Sequence, residues 1–210
     1  MAVSTQDVVR WVDALQRVFV ENRERLTELD SALGDGDCGV SMERGFTAAQ
    51  AELSAQPPPD IRAAFQSVAA VLIRTMGGAS GPLYGTFFVR AGAACAGKSE
   101  LAAADVVALF QAGIEGLQQR GKAGVGDKTM MDVWLPALDA MRRAHEEGSG
   151  LADILDRGAA AGEAGMRATV AMEARKGRAS YLGARSVGHQ DAGATASYLL
   201  LKAAAEMWRP

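Results

Sequence analysis

The sequence predicts an all-α domain of six to eight helices joined by short loops. Two observations carry this. Apolar residues recur at i, i+3, i+4 and i+7 along most long segments, the period of a helix with one buried face. Strand evidence is thin, with only four isoleucines and no regular series of short Val/Ile runs between turns. Abundant Ala and Gly let such helices pack closely.

The first stripe runs through Val8, Trp11, Val12, Leu15, Val18, Phe19, Leu26 and Leu29, and Ser4 with Asp7 is spaced as a capping box. Ile61, Ala64, Phe65, Val68, Val71, Leu72 and Met76 repeat the pattern after the Pro57-Pro58-Pro59 break. Val107, Phe110, Ile114 and Leu117 form a third stripe. A fourth comprises Met130, Val133, Trp134, Ala137, Leu138 and Met141, where Pro136 is expected to kink the helix or delay its start. Ala196, Leu199, Leu200, Ala203 and Met207 close the chain.

A length of 210 residues suits one domain spanning 1–210 with a full core. The 49% apolar and 22% charged residues are the balance of a soluble globule. A net charge of −3 lacks the basic excess of a protein that grips nucleic acid by its phosphates. The longest apolar runs are too short for a membrane span. The opening MAVSTQDVVR has neither the basic start nor the apolar stretch of a secretory signal, so the expected compartment is the cytoplasm. Cys38 and Cys95 are too few for a disulfide framework or a four-ligand zinc site.

Glycines gather in four clusters between helical segments, at 34–39, 77–85, 121–126 and 177–193. The first carries Asp30, Asp35 and Asp37. Three carboxylates this close repel one another unless water or a cation separates them. The interleaved Gly34, Gly36 and Gly39 let the backbone aim them at one point, and hard divalent cations such as magnesium take such oxygen ligands. The alternative is an exposed acidic turn. An EF-hand does not fit, because Val40 and Phe46 fall where the turn glycine and the bidentate glutamate belong. The literal G-x-G-x-x-G of Gly34, Gly36 and Gly39 follows a helix instead of a strand, and its aspartates would repel a bare pyrophosphate.

Gly92 to Ser99 spells a P-loop, G-x-x-x-x-G-K-S, but the parallel sheet and strand-borne aspartate that such a loop needs are not visible. Gly97 is expected to end one helix and Ser99 to cap the next. Gly77 to Gly85, small throughout, is a loop able to bring successive N–H groups and the Ser80 hydroxyl to an anion at a helix N-terminus. Asp127 or Thr129 is the expected cap of the following helix. Arg178 suits bidentate phosphate pairing, and Asp191 is placed to cap the last helix or to reach a ribose or a partner. No Ser–His–acid trio has a recognisable frame.

LDSALGDGDCG, GGASGPLYGTFF, GDKTMMDVWLPA and KGRASYLGARSVGHQDAGATA stand in the order and approximate spacing of one family. The chain resembles the L subunit of dihydroxyacetone kinase from about residue 29 to residue 200. The resemblance implies a closed barrel of about eight antiparallel helices, with the nucleotide held by the loops at one end. It implies that Asp30, Asp35 and Asp37 hold two Mg2+ ions on the phosphates of ADP or ATP. It places Cys38, Gly39 and Ser41 against the nucleotide and Gly78, Ala79 and Ser80 in the phosphate-binding loop. Gly121, Thr129 and Met130 would line the adenine and ribose pocket, and Arg178, Asp191 and Gly193 would close over it.

The family's hydroxyketone is held by a separate K subunit, so this chain is expected to be half of a phosphotransferase, with no nucleophile of its own. A phosphotransferase-system phosphoryl donor or a transcription factor is the other kind of partner the resemblance implies. A regulatory role that reports the bound nucleotide is the competing expectation, and a P-loop NTPase the third. Bacterial L subunits carry histidine at Cys38 and asparagine at Ser41. Cysteine there is similar to the single-chain, ATP-using members and points to exchangeable ATP over a retained ADP.

Overall fold

The computed structural model describes residues 2–209, which contain nine α-helices. They are α1 (Thr5–Glu21), α2 (Arg23–Leu33), α3 (Cys38–Ala55), α4 (Ile61–Thr75) and α5 (Ser80–Ala94). After these come α6 (Ala103–Gly121), α7 (Met131–Glu146), α8 (Leu151–Ala168) and α9 (Ala192–Met207). Short 3₁₀ turns at Thr169–Ala171 and Arg178–Ser186 lie in the α8–α9 connection. Among the described residues the only sheet is a two-residue antiparallel pairing, β1 (Val3–Ser4) with β2 (Glu100–Leu101).

The helices form a ring. Each of α3 to α8 packs on its successor, and α9 returns to α1, which itself packs on α3. Helix α2 continues from α1 and lies against α3 and α9. The interior is aromatic: Trp11, Phe65, Phe87, Phe88, Phe110, Trp134 and Trp208 stand with neighbouring ring centroids 4.9 to 6.2 Å apart. Two indoles stitch the closure between first and last helices. Trp11 Nε1–H donates to the Leu200 carbonyl (3.3 Å) and Trp208 Nε1–H to the Asp7 carbonyl (3.2 Å). Both groups are buried, where an unmade hydrogen bond costs more than a made one gains.

The capping box at Ser4 and Asp7 is present, with the Ser4 amide donating to Asp7 Oδ2 (2.9 Å). Four sequence expectations change. The stripe from Val8 to Leu29 is two helices, because the chain breaks at Asn22, whose amide caps the Val18 carbonyl. Pro136 does not delay α7, which begins at Met131 and runs through it as one helix. Proline lacks an N–H, so the Asp132 carbonyl has no partner four residues on. Gly165 of α8 fills that position so closely that a Cβ on it would stand 1.9 Å from the Asp132 oxygen. Gly81 and Gly85 are not loop residues; both lie inside α5 and let it sit on α4. Ser99 does not cap α6. Its cap position is Ala102, whose amide is held by Asp105 Oδ2 (3.0 Å).

Gly92 to Ser99 is thus the frayed end of α5 with a turn at Gly97, and Lys98 is paired with Asp105 at 2.8 Å. No parallel strand precedes it among the described residues. No described helix is long and apolar enough to cross a membrane.

Candidate functional site

Antiparallel neighbours put alternate connections at the same end of the ring. The α2–α3, α4–α5, α6–α7 and α8–α9 connections all meet there around a cavity of about 550 Å³. All four glycine clusters of the sequence contribute to these connections. The Gly92–Ser99 turn belongs to the α5–α6 connection and takes no part in the cavity wall.

Asp30 stands in the last turn of α2, and Asp35 and Asp37 follow in the connection to α3. Gly36 turns the chain with a φ of +73°, a conformation other residues rarely adopt. One oxygen from each of the three carboxylates lies within 4.8 Å of the other two. The Cys38 amide fixes Asp30 by donating to Oδ2 (3.1 Å), and Arg178 reaches from the last connection to pair with Asp35. Three hard, half-exposed oxygen donors with room beside them fit magnesium, which keeps several waters or phosphate oxygens in its shell. A soft or closed site would need thiolate or imidazole, and the one adjacent thiol, Cys38, is buried and pushed up to about 12 by desolvation and the aspartates around it.

Across the cavity, the chain enters α5 through Gly77, Gly78 and Ala79. The Gly77 amide donates to Ser41 Oγ (3.3 Å), and Arg44 Nε donates to the Thr75 carbonyl (2.7 Å), tying this turn to α3. Gly78 has a φ of +60°. In the first turn of α5 the amides of Ser80 and Gly81 have no acceptor within the helix and Pro82 has no N–H, and Gly78, Ala79 and Ser80 line the cavity there, where an anion fits.

The apolar wall comes from Leu83, Leu117, Ala123, Met130 and Met131. Thr129 and Gly121 reach the same wall. The α6–α7 connection is held by Asp132, 1% exposed, whose carboxylate accepts from the Gly126 amide (2.5 Å) and the Thr129 amide (2.7 Å). Thr129 shares the capping through its hydroxyl, which accepts from Met131 N–H (3.2 Å). Asp127 does not cap α7; its carboxylate turns back to the Gly124 amide (2.9 Å).

The fourth side is the α8–α9 connection. Asp191 caps α9, accepting from the Ala194 amide (2.7 Å), and its own amide donates to the buried Thr169 hydroxyl (3.1 Å). Loss of water around Asp191 raises its pKa to about 6; the Ala194 amide and Lys128 oppose that, while Asp132 and Asp30 add to it.

The structure therefore brings Asp30, Asp35, Asp37, Cys38, Gly78, Ala79, Ser80, Gly121, Thr129, Met130, Arg178, Asp191 and Gly193 to one cavity. Gly39 and Ser41 are not among the residues lining it: a Cβ on Gly39 would stand 2.0 Å from the Arg23 carbonyl of α2, and Ser41, 2% exposed, accepts from the Gly77 amide and keeps its hydroxyl proton to donate. Sequence reasoning missed Asp132 and the fixed role of Lys128. The Thr129-x-x-Asp132 spacing was a usable signal for the first.

Residues 32–206 match the DAK2 domain. The chain belongs to the DAK2 domain family. A relative from Escherichia coli (strain K12), described as PEP-dependent dihydroxyacetone kinase, ADP-binding subunit DhaL, is 39% identical over 96% of each chain. The human triokinase/FMN cyclase is 38% identical over 88% of this chain, which spans 32% of that protein. The crystal structure of the dihydroxyacetone kinase from C. freundii in complex with AMP-PNP and Mg2+ superposes on 98% of this chain with a TM-score of 0.75 and 26% identity. This chain covers 34% of that one, so the DAK2 barrel corresponds to about a third of it.

Proposed function

We propose that this DAK2 domain binds ADP or ATP with two Mg2+ ions and serves as the nucleotide subunit of a dihydroxyacetone-type kinase. One observation carries the reading: three carboxylates gathered within 4.8 Å face the N-terminus of α5 across a cavity about 550 Å³ in size. Alone, an acidic cluster repels phosphate and an anion-binding helix end repels cations. Together they suit a polyphosphate whose charge is shared with cations.

In this reading Asp30, Asp35 and Asp37 hold the metal, and the amides beside Gly78, Ala79 and Ser80 receive phosphate oxygens. The base lies against Leu83, Leu117 and Met130, near Gly121 and Thr129. Arg178 leaves Asp35 and covers the phosphates, with Asp191 and Gly193 completing that side. Bound magnesium would supply charge neutralisation and alignment of the terminal phosphoryl group.

Cys38, the one thiol beside the aspartates, is buried and pushed up to about 12 by loss of water, and this reading assigns no nucleophile to the chain. The acceptor hydroxyl is read as arriving on a separate K subunit that holds a short ketose. We read the nucleotide as exchangeable ATP, on the strength of Cys38. Identity does not choose, being 39% to a PEP-dependent subunit and 38% to a triokinase.

The test is reconstitution. Mixed with a K subunit, dihydroxyacetone and Mg-ATP, the chain is expected to form dihydroxyacetone phosphate over many turnovers, and neither protein alone to do so. Formation only when a phosphotransferase-system donor is added would replace the ATP reading with ADP recharged in place. Absence of product under both conditions would contradict the kinase reading.

A further inference from the structure

Lys128 is a charged side chain 1% exposed, on a residue whose own φ is +60°. A lysine rarely occupies either situation, because burial costs the ammonium its hydration and the left-handed backbone costs its Cβ. The three hydrogen bonds it makes account for both. Its Nζ donates to the carbonyls of Met172 (3.0 Å), Ser186 (2.6 Å) and His189 (2.6 Å). An ammonium has three protons, and all three are used.

Those carbonyls come from three separate points of the α8–α9 connection. Residues 172–190 contain no α-helix, only the 3₁₀ stretch Arg178–Ser186, which is kinked at Gly183, and the segment's base is closed by the Ala174 amide to Ser186 Oγ (2.8 Å) and the Gly188 amide to the Val170 carbonyl (2.7 Å). Their apolar attachment is a small cluster of Ala174, Ala179 and Leu182 on Leu33 of α2. A second tie to the α6–α7 connection is the Arg175 amide on the Asp127 carbonyl (3.1 Å). This connection carries Arg178 and leads into Asp191, while Lys128 precedes Thr129 and Met130 directly. One ammonium thus joins two walls of the cavity.

We infer that Lys128 is a positioning residue, not a phosphate ligand: it folds residues 172–190 into the shape that holds Arg178 over the cavity. The inference rests on the nucleotide reading for its consequence, though not for its geometry. A lysine bordering such a cavity invites assignment to phosphate, but here no donor is left to give.

The test compares wild type with Lys128→Met, and with Lys128→Gln, which keeps two donors should the first not fold. Without nucleotide, trypsin is expected to cut at Arg175, Lys176, Arg178 and Arg185, all exposed, at least tenfold faster in the variants. Amide exchange is expected to accelerate in residues 172–190 while α1 and α4 to α7 keep wild-type protection. With Mg2+, affinity for ADP is expected to fall, and Lys128→Met added to Arg178→Gln is expected to cost little beyond Arg178→Gln alone, because the two act through one group. Unchanged cleavage and exchange would overturn the inference, and so would a double-variant loss equal to the product of the two single losses. Failure of the wild-type protein to bind any nucleotide would instead strike the functional reading, leaving the cleavage comparison to decide Lys128.

Discussion

Arg178 of the last connection is paired with Asp35 of the first, across the mouth of the cavity. The two groups are 58% and 42% exposed, so the pair adds only about 0–1 kcal/mol to stability. Its significance is positional. In the proposed nucleotide site a guanidinium stands beside the aspartates, and Mg2+ would compete with it for Asp35. As the pair opens, the same guanidinium is left beside the site with its fork free for phosphate.

Arg178→Gln is therefore expected to leave the melting temperature nearly unchanged and to weaken Mg-ADP binding. Loss of one charge-assisted bond, about 1.5–3 kcal/mol, corresponds to roughly ten- to a hundredfold. Arg178→Lys is expected to recover only part, since lysine lacks the fork. Calorimetry on the three proteins checks both statements. Equal affinities would remove Arg178 from the site.

Gly165→Ala tests the packing that Pro136 permits. The added Cβ would lie 1.9 Å from the Asp132 carbonyl, backbone that cannot step aside. Overpacking of about 1–3 kcal/mol or more is expected, read as a lower denaturation midpoint. Because Asp132 also anchors the Gly126 and Thr129 amides, nucleotide affinity is expected to fall along with stability.

The barrel was legible where helices face water on one side. Stripes such as Ile61 to Met76 contrast apolar with polar faces, and they located α4, α6, α7 and α9. Helices α3 and α5 show little such contrast, and in α8 the stripe of Leu151, Ile154, Leu155 and Met166 is interrupted by small residues. Glycine and alanine, as in Gly158, Ala159, Gly162 and Gly165 of α8, make faces that bury by closeness instead of by size. The aspartate cradle was readable because charge repulsion at short spacing demands a reason. Lys128 was not, since a lysine in GDKT reads as solvated until the three carbonyls it meets, far along the chain, are in place. Gly39 and Ser41 stand next to cavity residues in sequence, and their packing against α2 and Gly77 shows only in space.

Asp191 gives a pH signature. Its carboxyl is raised to about 6 when folded, against 3.8 for the unfolded chain. A raised acid favours the folded state most when protonated, so this contribution is complete below pH about 4 and lost as pH rises through about 6. Wild type minus Asp191→Asn, which keeps the cap, is expected to show stability falling between pH 4 and 7. A flat difference across that range would contradict the assignment of burial as the dominant cause.

Lys98→Ala is expected to leave nucleotide affinity within twofold of wild type. Lys98 lies at the opposite end of the barrel, engaged with Asp105. Collapse of binding on this substitution would restore the P-loop reading of Gly92 to Ser99.

The central claim, a magnesium-nucleotide site built on the aspartate cradle, is tested most directly by calorimetric titration of ADP and ATP into wild type and Asp35→Ala, with and without Mg2+. Binding is expected to require magnesium and to be lost, or weakened at least a hundredfold, in the variant. Binding indifferent both to magnesium and to Asp35 would contradict the account and return Asp30, Asp35 and Asp37 to a solvated acidic turn.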